Sequence, residues 1–192
     1  SRQKHKEFGF EQPMTVLPYF LPATTEQTQS GDRSPHARPY FLFVGRLERL
    51  KGLDDVIDAF KEFDGADLVV AGDGTHADAL RTRAAGNPRV VFLGRLERAQ
   101  LDHYYRHAIA LVVPSLCYET FGVITLEAFQ HRTPVIARRL GPLPEIVEGA
   151  GAGETFGSRE ELVAAMRRLQ SDPARRDAMG AAGFRAYDAH YT

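Results

Sequence analysis

Five short apolar runs, at 40–44, 67–71, 90–93, 109–113 and 134–137, recur along the chain with helical periodicity between them. This alternation is βαβαβ, and it restricts the chain to folds in which helices pack on a sheet. Runs with little polar alternation, "LVVA" and "ALVVP", suit a parallel sheet covered on both faces. In the first helix Leu53, Val56, Ile57 and Phe60 fall at i, i+3, i+4 and i+7, one buried stripe. A helix over 159–170 repeats the stripe with Leu162, Val163, Met166 and Leu169, and "SDP" at 171–173 starts another. The expected fold is α/β, a Rossmann-like doubly wound parallel sheet over residues 40–192.

Residues 1–39 read as a leading segment. It holds a short basic helix, a brief strand in "MTVLPYFLP" closed by Pro18 and Pro22, and an exposed loop rich in turn formers. At 192 residues and 43% hydrophobic, the chain can bury a core as one domain. Its 24 basic and 25 acidic side chains leave a formal charge of -1, which argues against the broad basic face of a nucleic-acid binder and favours small-molecule chemistry. Cys117 stands alone, so an intrachain disulfide and a cysteine-rich zinc cluster are both excluded, and a reducing, cytoplasmic compartment is the natural reading. No run of 18 apolar residues occurs, and "SRQKHKEFGF" lacks the hydrophobic segment of a signal peptide. Opening on charges without a methionine and halting on a helical pattern, the chain reads as a piece of a longer polypeptide.

Doubly wound sheets bind ligands at the carboxyl ends of their strands, so the loop after each strand carries the information. The pentapeptide Gly-Arg-Leu-Glu-Arg closes both the first and the third strand, at 45–49 and 94–98, but only the first copy is followed by a lysine, Lys51. There Gly45 lets the backbone turn, and Arg46 and Lys51 come near the amino end of a helix, where free N–H groups and the dipole favour a phosphate. Two solvated charges beside a turn are the plainer alternative. In "VVAGDGTHA", Gly72, Gly74 and Ala77 match G-x-G-x-x-A, yet the next strand tip carries Gly94 and Arg95 where an NAD site wants a carboxylate. A tight turn that faces a phosphate is favoured.

Arg95 projects from the rim, either to stack on a base or to be solvated. His103 and His107 lie at i, i+4 but lack the glutamate of an H-E-x-x-H frame, so a solvated or capping role outweighs a metal site. The most informative stretch is "VVPSLCYETFGVITLEAFQ", where Gly122 and Val123 open a helix and offer unpaired N–H groups to an anion between Glu119 and Glu127. Cys117, without a partnered histidine, reads as a small buried side chain. "PVIARRLGPLPEIVE" either walls a pocket or is an ordinary strand-to-helix turn.

In this order and spacing, "GRL" with "KG", "GDG", "FLG", the E-x(7)-E pair Glu119 and Glu127, and "PVIA…G…PE" resemble the nucleotide-sugar-binding C-terminal domain of retaining GT-B glycosyltransferases, glycosyltransferase family 4. "VLPYFLP" resembles the segment that enters this domain from the interdomain hinge. The resemblance implies that Arg46 and Lys51 bind the donor diphosphate, with Glu119 by the donor sugar and Glu127 on the ribose hydroxyls. It implies backbone contacts to sugar and phosphates from Phe121, Gly122 and Val123, phosphate-side turns at Gly45, Gly72 and Gly74, and a base pocket around Leu93, Gly94 and Arg95. It further implies hexosyl transfer without metal or cofactor, from a nucleotide diphosphate sugar to an acceptor bound mainly by a missing N-terminal domain. Nucleic acid is not an expected partner, and peripheral membrane association of the full enzyme stays open.

Two positions depart from the family pattern. Arg132 replaces a glycine before the fifth strand, at a cost on the order of 1 kcal/mol if the turn stays left-handed. Gly141-Pro142 replaces a Gly-Gly pair, so one backbone N–H is absent. Two other readings stay open: a related GT-B epimerase or phosphorylase, although no lysine stands out as a pyridoxal phosphate anchor, and a binding or regulatory module that keeps the fold without turnover.

Overall fold

The structure is a computed structural model and describes residues 2–14, 20–22, 33–119 and 122–192. Most of the strand expected in "MTVLPYFLP", much of the leading loop, and Phe121 lie outside the described residues. The basic helix is present as α1 (Arg2–Glu7). The sheet and its helices follow as β1 (Tyr40–Val44), α2 (Leu53–Glu62), β2 (Asp67–Ala71), α3 (Ala77–Arg83), β3 (Val90–Gly94), α4 (Arg98–His107) and β4 (Leu111–Val113). The second half runs α5 (Val123–Gln130), β5 (Val135–Arg138), α6 (Leu143–Gly149), β6 (Gly153–Phe156), α7 (Arg159–Ser171) and α8 (Pro173–His190).

All strand pairs are parallel, in the order β3-β2-β1-β4-β5-β6. The winding direction reverses between β1 and β4, which opens a crevice at their carboxyl ends. Side chains alternate between the two faces. Phe41, Phe43, Leu68 and Val70 meet α2, α3 and α7 through Val56, Phe60, Leu80 and Met166. On the other face Tyr40, Leu42, Val69 and Leu111 pack with Tyr105, Leu126, Phe129 and Val147. The runs read as near-continuous apolar stretches because both faces are covered.

β6 is an addition to the five expected strands. Of "GETF" only Phe156 is buried, so no apolar run announces it. Backbone pairing with β5 makes the strand, and a side chain at Gly153 would lie 1.9 Å from the carbonyl oxygen of Val135. At the other end of β5 the turn does keep its left-handed form: Arg132 has φ 57°, alone among the described non-glycine residues in having a positive φ. α7 is capped by Ser158, which accepts from the Glu161 amide, and α8 by Asp172 with Pro173 at its first turn, as "SDP" foretold. Among the described residues, no helix is long and apolar enough to cross a membrane.

Candidate functional site

The exit of β1 is built from backbone contacts that a side chain would break. A Cβ on Gly72 would fall 1.9 Å from the carbonyl oxygen of Gly45, and one on Gly74 would fall 2.5 Å from that of Leu47. The two loops are tied by amides of Gly45 and Leu47 donating to the carbonyls of Ala71 and Asp73. Beyond Leu47 the chain makes one 3-10 turn, Arg49–Lys51, and reverses at Gly52, φ 70°. A Cβ on Gly52 would sit 2.1 Å from the carbonyl of Pro114, and the Leu116 amide donates to Leu50, so the β1 and β4 loops are locked edge to edge.

That lock sets Lys51 beside Glu119. Lys51 Nζ donates to Glu119 Oε1 at 2.6 Å, and Ser115 Oγ donates to the same oxygen at 2.6 Å. Burial alone would raise the Glu119 pKa, but the hydrogen bonds from Lys51 and Ser115 and the charges of Lys51 and Arg46 outweigh it, and the carboxyl is held below its ordinary value. Gly45, Arg46, Lys51, Glu119, Gly122 and Val123 line one cavity of about 260 Å³. It lies over the crevice between β1 and β4, with the first turn of α5 opening into it. The Thr125 amide turns back on the Gly122 carbonyl at 2.8 Å, while helix geometry leaves the amides of Val123 and Ile124, both on the cavity wall, without intrahelical acceptors, so cations and amides converge where an anion is favoured. Gly122, φ 77°, makes the sharp entry.

A second cavity, of about 500 Å³, shares Val44, Gly45 and Arg46 with the first and extends over Gly72, Gly74, Arg95, Leu96 and Leu101. Together the two form a trench across the ends of β1 to β4. The amides of Gly72 and Gly74 are engaged, by the Gly94 carbonyl and by Asp73 Oδ1. These glycines therefore serve close backbone packing at the trench floor. Leu93, partly buried, packs against the core and Gly94, φ 71°, supplies the turn; Arg95 alone of the three lines the cavity.

Glu127 lines neither cavity. One turn into α5, it faces α4: Arg98 Nη1 donates to Oε1 at 2.7 Å and Tyr105 Oη to Oε2 at 2.9 Å. Burial, then the charge and hydrogen bond of Glu127, push the Tyr105 pKa well up, so its hydroxyl stays protonated and donating. Arg98 also pairs with Asp102 at 2.8 Å and reaches Gln130 at 3.1 Å. Sequence reasoning missed Arg98, Tyr105 and Ser115 as site residues. Arg98 is the last residue of the second pentapeptide, and its i, i+4 spacing to Asp102 was a usable signal; Tyr105 hid inside "HYYRH", where the histidines drew notice.

Those histidines pack edge to face, with centroids 5.0 Å apart, and His107 is the last residue of α4. No three His, Cys, Asp or Glu side chains are grouped to hold a metal among the described residues. Cys117 is partly exposed rather than buried. Its neighbours Leu116 and Tyr118 are exposed. Pro142 caps α6, where a missing N–H breaks no helical bond.

Comparison with known proteins matches residues 25–186 to the family described as Glycosyl transferases group 1. Among curated relatives, a glycogen synthase of Mycobacterium tuberculosis is 37% identical over 153 residues, covering 74% of this chain and 36% of its own length. A D-inositol 3-phosphate glycosyltransferase of Thermobifida fusca is 32% identical over 189 residues, 89% of this chain and 43% of the relative. The chain thus spans about two fifths of these relatives. Among solved structures, sucrose-phosphate synthase from Thermosynechococcus elongatus superposes with a TM-score of 0.74 at 28% identity, covering 81% of this chain and 42% of that one. HepE from Anabaena, solved with UDP, gives 0.72 at 22% identity over 80% of this chain and 45% of that one. A family match over most of the chain, joined to the sheet order and the loop chemistry above, makes this chain a member of the group 1 glycosyltransferases.

Proposed function

We propose that this chain is the donor-binding half of a retaining glycosyltransferase of family 4, which moves a sugar from a nucleotide diphosphate sugar to an acceptor held mainly by another domain. The observation that carries the reading is the convergence of Arg46, Lys51 and the first turn of α5 on one cavity at the crevice where the sheet reverses. In the transfer, the bond from the anomeric carbon to the diphosphate breaks and negative charge grows on the leaving group. Two cations and the first amides of α5, already in position, stabilise that charge more than the bound ground state. The same groups make a metal dispensable. Glu119, kept ionised by Lys51 and Ser115, accepts from hydroxyls of the donor sugar, and Glu127 from those of the ribose. The base lies toward Leu93, Gly94 and Arg95. Retention rests on the family resemblance and proceeds by same-face attack.

Residues 40–192 form the donor-binding unit, and the leading segment, 1–39, joins it to the acceptor domain. Leu50, Leu116 and Tyr118 stand 61%, 48% and 70% exposed beside the Lys51–Glu119 pair, an apolar lip suited to a covering domain. A cytoplasmic location fits the single cysteine. Calorimetry with UDP, GDP and ADP tests the donor site, with UDP first because HepE carries it. One of these should bind with and without chelator, and Arg46→Ala or Lys51→Ala should weaken it about tenfold while leaving nucleoside binding unchanged. Binding of none, or equal binding by both variants, would overturn the reading. Turnover of donor and acceptor by this chain alone at a full enzyme's rate would overturn its assignment as one half.

A further inference from the structure

A third cavity, of about 440 Å³, opens at the opposite edge of the sheet, where β1, β4 and β5 begin. Arg38 precedes β1, Arg106 and His107 end α4, Arg132 forms the turn before β5, and Arg176 lies in the first turn of α8. Four arginines from four places in the fold line it together with one carboxylate, Asp177. The whole chain carries a formal charge of -1, so this cluster is a local excess, not a general trend.

Two of the guanidinium groups keep donors to spare. Arg176 commits Nη1 to the carbonyls of Leu169 and Gln170, which leaves Nε and Nη2 without a partner among the described residues. Arg38 pairs through Nε with Asp67 at 3.1 Å, and its side chain is 55% exposed. Arg132 is held in the left-handed region by the turn it forms. Its amide donates to Phe129, its carbonyl leaves no room for a side chain at Gly180, and its guanidinium lies 4.0 Å over the ring of Phe184. A glycine would satisfy that backbone without strain, so the arginine is there for its side chain.

We propose that this cavity is a second binding site, separate from the trench, for a ligand bearing a phosphate group. Guanidinium forks match phosphate oxygens in pairs, and the volume admits a phosphorylated small molecule or the headgroup of a phospholipid. The site owes nothing to the donor reading, and the trench can be silenced while it is tested.

The test is amide-resolved NMR of the Arg46→Ala/Lys51→Ala chain, titrated with inorganic phosphate and with glycerol 3-phosphate at fixed ionic strength. Saturable shifts are expected at 36–38, 106–109, 132–133 and 176–177. Arg38→Ala/Arg176→Ala should weaken binding about tenfold, and Asp177→Asn should tighten it about threefold, a gain that misfolding does not imitate. Arg132→Gly should weaken binding while the chain melts within a few degrees of the parent. Flotation with phosphatidylglycerol vesicles against phosphatidylcholine vesicles separates the sources. Saturable binding of the free phosphates alone assigns a soluble ligand, and flotation lost in the double variant assigns a headgroup. Absence of both, or binding that none of these variants alters, overturns the proposal.

Discussion

Glu127 is held by two groups of unequal kind. Arg98 is half exposed and replaceable by water, whereas Tyr105 is fully buried and its hydroxyl has one natural acceptor. Each carboxylate oxygen retains a second lone pair, which in the proposed donor complex would accept from the ribose hydroxyls. Tyr105→Phe should lower affinity for a ribonucleoside diphosphate several-fold and destabilise the chain by about 1 kcal/mol, while affinity for the 2′,3′-dideoxy analogue stays unchanged. Calorimetry with both ligands checks this. The floor of the trench permits no side chain at all: Gly72→Ala drives a Cβ into the Gly45 carbonyl and should cost about 1–3 kcal/mol in chemical denaturation, with loss of nucleotide binding.

The helices are placed by a few specific contacts more than by their own periodicity. α8 has little amphipathic character and reaches α5 and the turn after it through two glycines, Gly183 against Phe129 and Gly180 against the Arg132 carbonyl. Alanine favours an isolated helix by about 1 kcal/mol over glycine, yet Gly180→Ala places a methyl 2.1 Å from an oxygen and should lower Tm. α2 and α3 are stapled by Arg83, whose Nε and Nη2 donate to Asp58 at 3.0 and 2.6 Å. The Arg83 hydrogen bonds pull the Asp58 carboxyl down to about 2. A carboxyl depressed in the folded state adds stability above its unfolded pKa of about 3.9 and loses it as pH falls towards the folded value. Asp58→Asn should therefore destabilise the chain at neutral pH and flatten the loss of Tm on acidification below about pH 4, measured against the parent.

For the molecule as a whole, a nucleotide that binds only the folded state raises stability by about 2.7 kcal/mol at a hundred times its Kd. In a chain of this size that is roughly 5–10 °C in Tm, a rise that Lys51→Ala should reduce at the same ligand concentration. Much of this architecture is legible in the amino-acid order. Apolar runs and 3.6-residue stripes are local, so five strands and their covering helices follow from neighbours in the chain, and so do the loops that hold Arg46, Lys51 and Glu119. β6 escaped because an edge strand made by backbone pairing needs no apolar run. The pairing of side chains escaped for a different reason. Lys51 meets Glu119 across 68 positions and Arg98 meets Glu127 across 29, and such contacts exist only once the sheet reverses between β1 and β4 and lays those loops side by side. Local sequence determined which residues stand at the strand ends. Tertiary structure decided which of them touch, because the partner of each charge is set by strand order and by how closely glycine lets two backbones approach.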